Sequence, residues 1–302
     1  MKITDLTDNK GAATVMALGI FDGLHIAHTK IIGSAVDYAK EHGCVPAVFT
    51  IKGSPKDSLK LITRDMFDAQ LDKMGVNFLV CSDFEDIRDL SPLGFFNHLT
   101  NKYNVKAYFC GFNFRFGKKA EGDCDLLKKM CEEHGLECFV FPKYEVDGAP
   151  VSSSRIRQCL KDGDAELAAK LLGRPFSYNF TVVTGNKIGR LMQTPTINQV
   201  FTDDFCVPKY GVYASYARVD GKVYHAVTNI GVKPTVGAER PLSETWIADF
   251  SGNLYGRNIE VGILKFLRPE QKFESIEALR TAILNDARHS EEILRKIFGE
   301  VK

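Results

Sequence analysis

This chain has almost no excess charge of either sign. Lys and Arg number 39 against 38 Asp and Glu, for a net charge of +1 over 302 residues. That balance speaks against a dedicated nucleic-acid binder and leaves open only a local basic patch. Long apolar runs are also missing. None approaches the roughly 20 residues that a membrane-spanning helix needs. The opening MKITDLTDNK lacks the apolar stretch of a secretory leader, so neither a membrane anchor nor export is expected. Eight cysteines include no CxxC pair. The even spacing of Cys124, Cys131 and Cys138 fits a helix–loop–strand better than a metal site, and reduced thiols in a cytoplasmic protein are the expectation. Internal repeats and low-complexity tracts are absent. At this length two domains are the default.

What is present changes character along the chain. The first half alternates apolar runs with helical periods. Strands are expected over VMALGI, Cys44–Ile51, Asn77–Ser82, Ala107–Cys110 and Glu137–Phe141. Helices are expected over His25–His42, Arg64–Lys73, Pro92–Tyr103 and Asp123–His134. Such alternation implies right-handed crossovers and a parallel sheet, with ligands at the carboxyl ends of the strands. After Pro175 the signal becomes short β-rich runs: FTVVTG, YGVYASYARV, KVYHAVTNI, ETWIADF and IEVGILKFL. Asp220-Gly221 between two of them is a hairpin signal. An antiparallel barrel or sandwich follows, closed by an amphipathic helix over about Ser275–Phe298. The expected domains are 1–174 and 175–302.

The most informative segment is Gly19-Ile20-Phe21-Asp22-Gly23-Leu24-His25-Ile26-Ala27-His28. An apolar strand feeds a Gly-rich turn, then a helix. Gly19, Phe21, Asp22 and Gly23 form a turn whose backbone N–H groups and following helix N-terminus suit phosphate. His25 and His28 are three apart and share one helix face. Paired imidazoles at a phosphate site point to charge stabilisation of phosphoryl or nucleotidyl transfer rather than covalent catalysis. Read alone, the pair is equally a surface or core feature. No third ligand sits at metal spacing nearby.

Other stretches fit the same chemistry. In Gly111-Phe112-Asn113-Phe114-Arg115-Phe116-Gly117, Asn113 is a candidate partner for a phosphate or ribose, and the alternative is an aromatic structural loop. Ser153, Ser154 and Arg157 open a helix, either as simple capping or as a cationic anion-binding terminus. In the second half, GNKIGRLMQTPTIN offers Gly185, Lys187 and Arg190 as a phosphate cradle. Thr196 and Asn198, two apart in an extended segment, share a face and suit a hydrated Mg²⁺ bound jointly with substrate phosphates. A plain surface loop is the competing account.

FDGLHIAH, GFNFRFGKKAEGD, VSSSRIRQCLKDGDAELAAKLLGRPF, PTIN, GVYASYARVDGKVYHAVTNIGVKPT, ETWIADFSGNLYG and FLRPEQKFES together resemble the prokaryotic bifunctional riboflavin kinase/FAD synthetase family. The likeness runs along nearly the whole chain in the family's motif order. It implies an α/β Rossmann-like nucleotidyltransferase domain, then an antiparallel Greek-key β-barrel riboflavin kinase domain with a C-terminal helix. It implies catalytic roles for His25 and His28, nucleotide binding by Asn113, Ser153, Ser154 and Arg157, and Mg²⁺ and phosphate binding by Thr196 and Asn198. It also implies a general base at Glu244, which is otherwise an ordinary strand residue. The resemblance departs at Ala27, where the family has glycine. It departs again at Phe49-Thr50-Ile51-Lys52-Gly53-Ser54-Pro55, which lacks the family's DPHP, and at Met192-Gln193-Thr194.

The expected reactions are phosphorylation of riboflavin to FMN and adenylylation of FMN to FAD, with ATP as co-substrate and pyrophosphate released. The expected partners are riboflavin, FMN and ATP, with no nucleic acid and no membrane, and a monomer or weak homo-oligomer. The departures keep two alternatives open: a riboflavin kinase whose adenylyltransferase domain is weak or inactive, and a non-catalytic flavin-binding regulator.

Overall fold

The computed structural model describes residues 11–52, 59–184, 196–235 and 238–299. The chain folds as two units, one of Met1–Leu59 with Arg64–Ser152 and one of Lys60–Thr63 with Ser153–Lys302.

The first unit is built in chain order from β1 (Thr14–Leu18), α1 (Ile26–Glu41), β2 (Val45–Lys52), α2 (Arg64–Lys73), β3 (Phe78–Asp83), the short α3 (Phe84–Ile87), α4 (Pro92–Tyr103), β4 (Val105–Gly111), α5 (Cys124–Glu133) and β5 (Glu137–Phe141), with a small ribbon of β6 (Glu145–Val146) and β7 (Ala149–Pro150). The main sheet has the order β3-β2-β1-β4-β5, and all its pairings are parallel. This is the expected Rossmann-like α/β layer. Every residue of β1 is buried, as a central strand covered on both faces requires. Local chemistry sets the helix ends. Ser91 and Asp123 cap α4 and α5 by accepting from Gly94 N and Leu126 N, and Pro92 opens α4. Met16, Leu18, Phe49, Phe96, Tyr108 and Leu127 belong to one core cluster between sheet and helices. Chain order runs from β1 outward to β3 and then jumps back across β1 to β4. The switch point of the sheet therefore lies between β1 and β4, where such folds bind ligands.

The second unit contains α6 (Ser153–Asp162), α7 (Ala165–Leu172), β8 (Phe176–Thr181), β9 (Thr196–Val200), β10 (Gly211–Val219), β11 (Lys222–Thr235), β12 (Ala238–Ile247), β13 (Asn258–Arg268) and α8 (Ile276–Phe298). Its sheet has the order β8-β13-β10-β11-β12-β9. Strands β10, β11 and β12 form a meander and β13 returns beside β10, which is the Greek-key order. The sheet curls until its edges meet, where Val183 N donates to Asn198 O at 2.8 Å. Gln199, fully buried, reinforces that closure by donating to Phe180 O and Ile259 O at 2.5 and 2.8 Å. Helix α8 packs on the sheet through Ala287 and Leu294. Ser290 pins it by donating to Ala226 O at 2.6 Å.

Residues 60–63 join this unit from far away in sequence. Lys60 N donates to Asp204 O and Cys206 N donates to Lys60 O, at 2.7 and 2.8 Å, and Leu61 is buried. The expected strand FTVVTG lies instead at Phe176–Thr181, and β9 was not anticipated as a strand of its own.

Candidate active sites

In the first unit the carboxyl end of β1 runs into a tight, strained turn. Phe21 and Leu24 are non-glycine residues in left-handed backbone, at φ 53° and 43°, with Gly23 at 76° between them. Phe21 is buried, so its ring supports the turn rather than lining an open surface. Gly19 is required beside it, because a Cβ there would lie 2.8 Å from Phe21 Cζ. Thr50 of β2 donates to Ile20 O at 2.8 Å and holds the turn from the neighbouring strand.

The turn delivers His25 as the N-cap of α1. His25 lies just outside the helix, and its Nδ1 accepts from His28 N at 3.3 Å. The expectation that both imidazoles share a face holds in a strong form, since the rings stack at 3.5 Å and 19°. His28 also meets the Phe21 ring edge-on at 5.2 Å. Burial, helped by the neighbouring His25, holds His28 well below the ordinary imidazole pKa of 6.5. Its Nδ1 is buried with no hydrogen-bond partner among the described residues. A buried, unpartnered imidazole nitrogen beside a helix N-terminus is poised to meet a hydrogen-bonding or anionic group.

Strand β4 neighbours β1, with Leu18 opposite Cys110, so the loop after β4 emerges beside this turn. Asn113 is exposed on that loop. The loop is fixed by Phe112 N donating to Phe141 O and by Cys124 Sγ, 3.3 Å from Gly111 O and 3.4 Å from Phe112 O. Phe116 is buried, which gives the aromatic residues of this loop a structural share as well. Ser153, Ser154 and Arg157 sit at the start of α6, which belongs to the second unit rather than to the one holding the imidazoles.

In the second unit the site is written in strand register. β9 pairs with β12 so that Asn198 faces Glu244, and β12 pairs with β11 so that Glu244 faces Asn229. Opposite residues project to one side of a sheet, so Asn198, Glu244 and Asn229 form a row three strands wide. Thr196 lies on the same face, two residues from Asn198. Asn198 is buried and Glu244 half-buried. Asn198 and Glu244, 46 positions apart in sequence, thus become direct cross-strand partners. The opposite face of the sheet carries Ser215 of β10, Thr228 of β11 and Thr245 of β12, joined by hydroxyl contacts of 2.8 and 2.9 Å. Gly185, Lys187 and Arg190 lie outside the described residues, as do Gly53–Pro55 and Met192–Thr194.

Asn229, opposite Glu244, and Glu270, which accepts from Asn229 Nδ2, are residues beside the candidate site that the sequence reading missed. Their signal was register, which no single motif carries.

A switch-point loop bearing stacked imidazoles, followed by a curled antiparallel sheet bearing an Asn–Glu–Asn row, defines a two-module transferase acting on phosphorylated substrates. Comparison with known proteins makes this specific. A family model for FAD synthetase matches residues 7–155, and one for riboflavin kinase matches residues 172–294. The bifunctional riboflavin kinase/FMN adenylyltransferase of Bacillus subtilis is 36% identical over 296 residues, covering 93% of this chain and 92% of its own. The Escherichia coli K12 protein of the same name is 31% identical, with 99% and 97% covered. A crystal structure described as a macrolide-efflux protein from Streptococcus pneumoniae superposes with a TM-score of 0.84 at 29% identity, covering 93% and 94%. The chain belongs to the bifunctional riboflavin kinase/FMN adenylyltransferase family.

Proposed function

We propose that the two sites catalyse consecutive ATP-dependent steps, riboflavin to FMN in the second unit and FMN to FAD in the first. Family membership supports both activities. The observation that carries the residue-level reading is the cross-strand pairing of Asn198 with Glu244.

In the kinase step Glu244 accepts the proton of the riboflavin 5′-hydroxyl as its oxygen attacks the γ-phosphorus of ATP. A new O–P bond forms, the bond from the γ-phosphorus to the bridging oxygen breaks, and ADP leaves. Thr196 and Asn198 hold the phosphate end, with the loop of Gly185, Lys187 and Arg190 as its proposed cradle. The hydroxyl of Thr196 and the amide oxygen of Asn198 are hard oxygen donors that fit Mg²⁺. Among the described residues no group of three His, Cys, Asp or Glu could hold a metal ion, so the fit is to an ion shared with substrate phosphates through Thr196 and Asn198. Bound there, Mg²⁺ would offset phosphate charge.

In the adenylyl step an FMN phosphate oxygen attacks the α-phosphorus of ATP and pyrophosphate leaves. A phosphate monoester is already ionised at neutral pH, so no general base is needed. His25 and His28 stabilise the charge that develops. Asn113 orients the nucleotide, and the Gly19–Gly23 turn, with Phe21 and Asp22, offers its backbone to the phosphates. Ser153, Ser154 and Arg157 keep their nucleotide-binding role only as the family resemblance implies it. On the same reading the enzyme works in the cytoplasm as a monomer or weak homo-oligomer, with the two family domains divided near residue 174, downstream of the Ser152–Ser153 division between the compact units. Among the described residues no helix is long and apolar enough to cross a membrane.

The test is direct. The purified protein is incubated with riboflavin, ATP and Mg²⁺, and the flavins are resolved by chromatography. FMN followed by FAD is expected. FMN alone would remove the adenylyl step, and binding without product would remove both.

A further inference from the structure

Glu244 is flanked on its sheet by more than Asn198. Directly opposite it on β11 stands Asn229. The Asn229 side chain is not free to turn, because its Nδ2 donates to Glu270 Oε1 at 2.8 Å. Glu270 follows β13 and lies over Gly231, two residues along β11 on the same face. Glycine leaves the carboxylate in this position, since a Cβ at Gly231 would lie within 2.8 Å of the Glu270 Cδ and push it aside. The carboxylate therefore fixes which end of the Asn229 amide is nitrogen and which is oxygen. The oxygen, Oδ1, is buried and has no hydrogen-bond partner among the described residues.

An acceptor left buried and empty beside a half-buried carboxylate calls for a donor. A cation is disfavoured as the occupant, because a cation held on Glu244 would take up the lone pair with which that carboxylate accepts the substrate proton. A polyol answers the geometry better. One hydroxyl donates to Glu244, and its neighbour on the next carbon donates to Asn229. We propose that Asn229, oriented by Glu270, is a specificity-determining residue that accepts a hydrogen bond from the ribityl 4′-hydroxyl, next to the 5′-hydroxyl that reacts. This rests on the kinase reading of the Glu244 row and adds to it the side of the site that reads the sugar chain.

The contact is made by bound substrate before and during transfer, so its loss raises the KM for riboflavin and leaves kcat nearly unchanged. Full-length enzyme is assayed for FMN formation with riboflavin, 4′-deoxyriboflavin and 2′-deoxyriboflavin. Asn229→Ala should raise the KM for riboflavin and for the 2′-deoxy compound by about fivefold to tenfold, with the KM for ATP unchanged. On 4′-deoxyriboflavin the same substitution should cost almost nothing, because the hydroxyl it would have held is already gone. Glu270→Ala, at an exposed position, should show the same pattern more weakly, and Glu270→Gln should restore it because a glutamine oxygen still accepts from Nδ2. This second pair keeps the question answerable if Asn229→Ala fails to fold. Equal losses on all three flavins, or an unchanged KM, overturn the inference while leaving the kinase standing. Absence of FMN from the unsubstituted enzyme overturns the kinase reading and this inference together.

Discussion

In the first unit the candidate site side chains ride on a loop, and in the second they ride on strands. The imidazoles reach their places through a turn that holds Phe21 and Leu24 in left-handed backbone and stacks His25 on His28 within a single helical turn. The Asn198–Glu244–Asn229 row needs no such strain. It needs only that three strands keep their register, because a slip of one residue would turn Ile197, Thr245 and Thr228 to that face instead. A loop-borne site is compact in sequence and exacting in conformation. A strand-borne site is scattered in sequence and relaxed in conformation. The two should therefore fail in different ways when substituted.

The sharpest contrast is between the reactions. Glu244→Gln keeps the shape of the row and removes only the proton acceptor, so FMN formation should fall by about 10²–10⁴-fold while FAD formation from supplied FMN continues. His28→Ala should do the reverse, lowering FAD formation by about 10²–10³-fold and sparing FMN formation. Both are read by chromatography with riboflavin or FMN as the starting flavin. If His28→Ala left FAD formation intact, the imidazole assignment would be wrong.

A smaller effect tests the strain itself. Gly19→Ala forces a methyl against the Phe21 ring at 2.8 Å. The ring must move, and with it its edge-on contact with His28. Such overpacking costs about 1–3 kcal/mol and should lower the unfolding midpoint in thermal denaturation while depressing FAD formation ahead of FMN formation. Equal loss of both activities would mean that the turn supports the whole chain rather than its own site.

The smallest effect concerns pH. His28 resists protonation in the fold, whereas the unfolded chain takes up that proton below the ordinary value of 6.5. Stability is therefore full above that pH and falls as the pH drops from 6.5 toward the depressed folded value. The slope is at most about 1.4 kcal/mol per pH unit for one site. His28→Gln should flatten that limb of a Tm–pH curve, and an identical curve would mean that the imidazole titrates normally in the fold.

The same contrast explains what could be read from the chain alone. Elements with strong local signals came through closely. Arg64–Lys73, Pro92–Tyr103 and Glu137–Phe141 match α2, α4 and β5 end to end, because caps, proline and apolar period agree there. The histidine pair was legible for the same reason, its geometry being local to one helical turn. That Thr196 and Asn198 share a face followed from period two. The facing of Asn198 and Glu244 did not, since it depends on how β9, β12 and β11 align, and only resemblance pointed to Glu244. The Asp220-Gly221 turn sets β10 against β11, with Val219 opposite Lys222, but says nothing about the far side of β11. Glu270 was invisible because its meaning depends on Gly231 having no side chain.

Residues 60–63 carry a last consequence. They sit beside Phe205 and Cys206 although Lys60 and Asp204 are 144 positions apart. A gene fragment beginning at Ser153 would encode every named strand of the barrel and still omit this strap. It would leave unfilled the place taken by Leu61, which is 1% exposed, forfeiting on the order of 2 kcal/mol of burial. The two halves are thus not freely interchangeable parts. Any recombination that transplants the kinase module into another host must carry a short stretch of the neighbouring gene text with it.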